Sequence, residues 1–164
     1  VNAIQLVVEQ HREIQELARA VLVAPRDERA SVLQRLGDRL ETHLDVEERV
    51  LYPMMRSHRE ATAIEAYLQD HHDLRMIWLR LTSAGFVEDP LFLDQAALAA
   101  ATLREHMRDE EETHLLPPLA MSLSEPELEA LGTEMLELYE RLRRHQPFRR
   151  IVREVGDRVF SRVG

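Results

Sequence analysis

Four histidines interrupt helical stripes that would otherwise be apolar. The stripe Ile4, Val7, Ile14, Ala18, Val21 contains His11. The next, Leu33, Leu36, Leu40, Val50 or Leu51, Met54, contains His43 and, four residues on, Glu47. A third, Ile64, Tyr67, Leu74, Trp78, Leu81, contains His71, and a fourth, Phe92, Ala96, Ala99, Leu103, Thr113, contains His106 and Glu110. Residues four apart project side by side from one helix face. An imidazole or carboxylate without a partner is costly in a dry interior. For any one of these histidines a satisfied core side chain would be the ordinary account, but four together point to a common cause. A divalent metal neutralises the carboxylates and takes the imidazole lone pairs. The donors exceed one tetrahedral site, and a carboxylate from each of two helices can bridge a pair, so two metal ions are expected.

The composition narrows the chemistry further. With no Cys among 164 residues, disulfides, thiolate nucleophiles and iron–sulfur clusters are out, and any metal must be held by nitrogen and oxygen. That donor set favours iron or manganese over a structural zinc. All 21 basic residues are Arg, which excludes Schiff-base chemistry. The 30 acidic residues set a formal charge of -9, which argues against a nucleic-acid partner. No apolar run reaches the length of a membrane span and the start resembles no signal peptide, so a cytoplasmic protein is expected.

The elements that must position these donors are long helices. Apolar spacing and punctuation predict helices over Ala3–Val23, from after Asp27 to Arg56, over Ala61–Ser83, and from Pro90 to Leu116. Four long helices with short connections make an all-α, antiparallel up-down four-helix bundle the natural solution. His11 and His71 then lie two to three turns into their helices, and His43 and His106 about four turns into theirs. Alternating helix direction brings all four to a common depth. Ser124 and Glu127 form a capping-box pattern that opens a fifth helix to Arg144. Pro147 precedes an amphipathic segment, Phe148 to Val163, with five Arg against Glu154 and Asp157. Residues 1–120 are thus expected to form the bundle and 121–164 a C-terminal helical extension, packed on the bundle or making a homodimer contact.

Two stretches carry a family resemblance. Gln10-His11-Arg12-Glu13-Ile14 and Asp70-His71-His72-Asp73-Leu74 are each followed by a His, an acid four or five residues on, and a Leu-Tyr-Pro or Leu-Leu-Pro ending: His43, Glu47, Leu51-Tyr52-Pro53, then His106, Glu110 or Glu111, Leu115-Leu116-Pro117. The pattern resembles the hemerythrin-like (HHE cation-binding) family over residues 3–118. The resemblance implies that His11, His43, His71 and His106 are iron ligands and Glu47 a bridging carboxylate. The second bridge is Glu110 by helical geometry, or Glu111 by its distance from the following proline, which would require a π-type widening of the helix. The family's oxygen carriers have two His four apart on the third helix. Here Tyr67 precedes His71 by four and Arg75 follows it by four, so one imidazole is missing. Tyr67 is read either as core packing or as a phenolate ligand. Glu48 and Glu112 are read as solvated or hydrogen-bonded to the ligands from outside.

The resemblance implies a pair of non-haem iron ions, carboxylate-bridged and oxo- or hydroxo-bridged, with zinc or manganese as the lesser choices. Its expected partner is a small oxidant or diatomic: oxygen, peroxide or nitric oxide. Catalase-like peroxide removal is one outcome. An iron- or oxygen-sensing or metal-handling regulatory bundle without turnover is the alternative.

Overall fold

The computed structural model describes residues 1–56, 61–83 and 85–144 and, within them, every side chain except those at 61, 62 and 110. His58, His145 and the segment Phe148 to Val163 lie outside the described residues. α1 (Ala3–Val23) begins where the Asn2 side chain accepts the Ile4 N–H and stops at Ala24, which is extended ahead of Pro25. The Pro25 carbonyl then accepts from the N–H groups of both Glu28 and Arg29, so the next helix starts at Arg29, slightly later than the spacing suggests.

α2 (Arg29–Val46) does not run unchanged to Arg56. It widens into a π-helical turn over Glu47–Leu51 and resumes as α3 (Tyr52–Arg56). The fourth predicted helix does the same: α5 (Phe92–Arg104) passes into a π-helical stretch, Glu105–Leu115, and resumes as α6 (Leu116–Ser122). Between these lies α4 (Ala61–Leu81), ending near Gly85, whose φ of 78° lets the chain turn into a short 3-10 helix, Phe86–Glu88.

Each widening ends just before a proline. Pro53 and Pro117 have no N–H, and each ring crowds the carbonyl four residues back. The residue ahead of each proline bonds five back instead of four, Tyr52 N–H to the Glu47 carbonyl and Leu116 N–H to the Glu111 carbonyl. The expected stop at Leu116 is therefore corrected. The helix continues to Ser122 because Pro117 and Pro118 fall in its first turn, where a missing N–H costs nothing.

α1 packs on α2 and α5, and α4 packs on α5 and α2, which closes the up-down bundle. α7 (Glu125–Arg144) opens as expected, with Glu127 accepting from both the N–H and the hydroxyl of Ser124, and lies against α1, α2 and the Glu47–Leu51 turn. Two apolar clusters fill the interior. One holds Ile14, Leu36, Leu40, Leu74, Trp78 and Leu103, and the other Val7, Leu51, Tyr52, Met55, Leu116 and the inner face of α7. The buried polar residues His11, His43, Glu47, His71, His106 and Glu111 come from helix positions between these two clusters. Among the described residues, no helix is long and apolar enough to cross a membrane.

α7 meets the N-terminus at Gly132, where an added methyl would stand 2.1 Å from the Val1 carbonyl oxygen and 2.7 Å from the Ala3 nitrogen. Backbone cannot yield as a flexible side chain would. Gly132→Ala is expected to cost about 1–3 kcal/mol through overpacking. Urea denaturation checks this, and an unchanged midpoint would show that α7 is not seated there.

Candidate metal centre

The bundle interior gathers imidazole Nε2 atoms around two carboxylates. His43 Nε2 lies 3.3 Å from Glu47 Oε1, and His11 Nε2 lies 3.8 Å from the same oxygen and 3.2 Å from Glu111 Oε2. On the other side, His71 Nε2 lies 3.4 Å from Glu47 Oε2, and His106 Nε2 lies 3.6 Å from Glu111 Oε2. The imidazole rings stand in two edge-to-face pairs, His11 with His43 and His71 with His106, each with centroids 4.9 Å apart. His11, His43, Glu47 and Glu111 form one group whose ligand atoms all lie within 4.8 Å, and Glu47, His71, His106 and Glu111 form a second. Both carboxylates belong to both groups.

A ring of outer groups fixes the imidazoles. Glu112 Oε1 accepts from His11 Nδ1 at 2.9 Å, Gln10 Oε1 from His43 Nδ1 at 2.8 Å, and Glu48 Oε1 from His71 Nδ1 at 3.0 Å. Asp70 Oδ2 stands 3.8 Å from His106 Nδ1. With Nδ1 turned outward in this way, Nε2 faces inward, the arrangement that metal-ligating histidines use. The pattern repeats across the two halves of the sequence. The residue before each first histidine faces the histidine of the following helix, Gln10 by a hydrogen bond and Asp70 at an ion-pair distance. The residue after each shared glutamate (Glu48, Glu112) serves the first histidine of the opposite half.

Charge in this layer is divided by burial and pairing. Burial lowers the His11 and His71 imidazoles, but the carboxylates facing them outweigh it. His11 is held well above its ordinary value by Glu111, Glu112 and Glu47, and His71 is raised to about 9 by Glu47 and Glu48. His43 is lowered to about 4, because burial there outweighs Glu47. Burial opposes ionisation of Glu47 and Glu111, yet the surrounding imidazoles hold both below the usual carboxylate range. His11 Nε2, His43 Nε2, both Glu47 oxygens and Glu111 Oε2 are buried without a hydrogen-bond partner. Such groups are costly if left so, and a hard or borderline cation among them would satisfy every one. The residues present therefore fit a metal pair.

Six of the eight residues singled out from the sequence are brought together in this way. The side chain of Glu110 is outside the described residues. Glu111 reaches the His106 face because Glu105–Leu115 is π-helical, so five residues rather than four return to the same side. Tyr67 is half-buried, its ring 6.3 Å from that of His106 and 6.1 Å from that of Tyr52. Sequence reasoning passed over Tyr52. Its buried hydroxyl donates to Glu111 Oε1 at 2.6 Å and lies 2.8 Å from His71 Nε2. The available signal was its position five after Glu47, the spacing that matches His106 to Glu111.

The hemerythrin HHE cation binding domain model matches residues 2–119. The chain belongs to that family. A crystal structure of a hemerythrin HHE cation binding domain-containing protein from Mycobacterium kansasii is similar to it, with a TM-score of 0.77 and 27% identity over 87% of this chain and 88% of that one. No curated protein sequence matches at a significant level. The similarity to the M. kansasii protein extends past the HHE domain, since 87% of the chain is more than residues 2–119 contain.

Proposed function

We propose that this HHE domain holds two iron ions and binds, or reacts with, a small oxidant: oxygen, peroxide or nitric oxide. The observation that carries this reading is the pair of four-donor groups sharing Glu47 and Glu111 in a water-poor layer. Four protein donors per ion leave coordination positions open, and iron there supplies one-electron chemistry that zinc cannot. The chain's own residues do the rest. Glu112, Gln10 and Glu48 hold the imidazoles with Nε2 inward. Leu103, Leu74 and Val7 keep bulk water away. The Tyr52 hydroxyl, between Glu111 and His71, carries a proton at the centre, because burial and the nearby Glu111 and Glu47 push its pKa up.

Of the two phenols, Tyr52 is the one whose oxygen lies within reach of the shared donors. Held as a neutral phenol, Tyr52 is expected to give no phenolate-to-iron visible band in the iron-loaded protein, and a band that disappears in Tyr52→Phe would contradict its proton-holding role. A band that disappears in Tyr67→Phe would make Tyr67 the ligand. Reaction with peroxide is tested by adding it to iron-loaded protein and recording oxygen evolution. A rate no faster than that of free iron would remove the catalase-like reading.

A regulatory reading without turnover is favoured by one contact. α7 lies against the π-helical turn that begins at Glu47, so a change at that carboxylate has a direct route to the C-terminal extension. Amide exchange along α7 that slows on iron loading, with no oxygen evolution, would support sensing over catalysis.

A further inference from the structure

We propose that the two metal positions are unequal, with the His71–His106 position binding its ion first and more tightly than the His11–His43 position. This rests on the two-ion reading above and adds an order to it. The inner donors are balanced, two imidazoles on each side and two shared carboxylates. The outer groups are not. In the first half, Gln10 sits behind His43 as a neutral amide and Glu112 behind His11 as a carboxylate. At the His71–His106 position both outer groups are carboxylates, Glu48 hydrogen-bonded to His71 at 3.0 Å and Asp70 facing His106 Nδ1 at an ion-pair distance of 3.8 Å. A carboxylate on the outer nitrogen makes an imidazole a stronger donor than an amide does.

The difference is reinforced one layer further out. Four residues after His71 stands Arg75, where the first half has Gln15 after His11. Arg75 bonds Glu48 at 2.6 Å, Glu41 at 2.9 Å and Asp45 at 3.2 Å. It holds Glu48 in place against His71, with Glu41 and Asp45 sharing its charge. Access favours the same half. A cleft of about 200 Å³ between α4 and the α5 segment is lined by Asp70, Asp73, Thr102, Glu105 and His106 itself. An entering cation would meet carboxylates there before it reaches the His106 imidazole.

The test is an anaerobic titration of the metal-free full chain with Co²⁺, followed by its visible absorption and by calorimetry. Two ions are expected, the first bound at least about tenfold more tightly, since outer groups of this kind change metal affinity by about 10- to 100-fold. Asp70→Asn is expected to weaken the first step by about tenfold and leave the second unchanged. His43→Ala should abolish the second step and keep the first. Asp70 is 39% exposed, so its variant decides the matter even if the buried one fails to fold. Equal steps in the unmodified chain, no effect of Asp70→Asn, or loss of the tighter step in His43→Ala would each overturn the inequality. One ion per chain would instead overturn the two-ion reading, and the order with it.

Discussion

Glu47→Gln is expected to reduce bound iron from two ions per chain to one or none. The side chain keeps its volume, but one of its two oxygens becomes an N–H donor and its charge is lost. Glu47 Oε1 faces His43 and His11, and Oε2 faces His71, so either oxygen serves a different side of the centre. Breaking a buried, charge-paired group typically costs about 3–5 kcal/mol, a loss of about a hundredfold or more in affinity. Glu111→Gln should also lower bound iron, because Glu111 belongs to both donor groups, although there a single oxygen, Oε2, faces both His11 and His106 while Oε1 accepts from Tyr52. Glu110→Gln should leave both ions in place if the π-helical register is right. Iron-to-protein ratios of the three variants, with helicity checked by circular dichroism, decide this. Two retained ions in Glu47→Gln would remove its bridging role.

The second large effect is expected on removing the metal. A ligand present at about a thousandfold excess over its dissociation constant adds about 4 kcal/mol, and for a chain of this size that corresponds to about 10 °C or more in Tm. The metal-free form should also acquire a pH dependence. His71 has a folded pKa of about 9, above its ordinary 6.5. The stability it contributes is complete below 6.5 and is lost as pH rises through 9, and His11, raised in the same direction, adds to that loss. His43 works in the opposite sense. Its folded value of about 4 means its contribution is present above 6.5 and is lost as pH falls toward 4. Glu47, held well below 4.5, likewise contributes above 4.5 and loses its contribution as pH falls through its lowered value. Metal-free protein should therefore be most stable near pH 6.5 and should melt lower at pH 9. Thermal melts at both values check this, and a higher Tm at pH 9 would contradict the proton assignment. Loading metal at neutral pH should also release protons from His11 and His71, measurable in weakly buffered solution.

Much of the bundle and most of the centre were legible because a histidine on an apolar stripe is a local contradiction that only tertiary structure can resolve. His11, His43, His71 and His106 each stood out in that way. Glu111 did not, because spacing arguments assume 3.6 residues per turn and the helix there has a wider turn. The prolines at 53 and 117 carried the information, but as a count back from the helix end rather than as a face. The same widening hid Tyr52, which reads as part of a Leu-Tyr-Pro helix ending until the fifth-residue spacing is applied. It also explains the continuation of the fourth helix through Pro117. In the sequence Gln10 is only one residue of a motif, and neither its neutrality nor the charge of Asp70 gains meaning until each is seen facing an imidazole. Arg75 looked like a missing histidine, whereas its position serves Glu48, Glu41 and Asp45.

The central claim is a carboxylate-bridged pair of iron ions, and elemental analysis of the purified full chain after anaerobic reconstitution with ferrous iron tests it most directly. Two irons per chain, falling to one or none in Glu47→Gln, is the predicted result. One ion per chain, or two that survive the loss of Glu47, would contradict it.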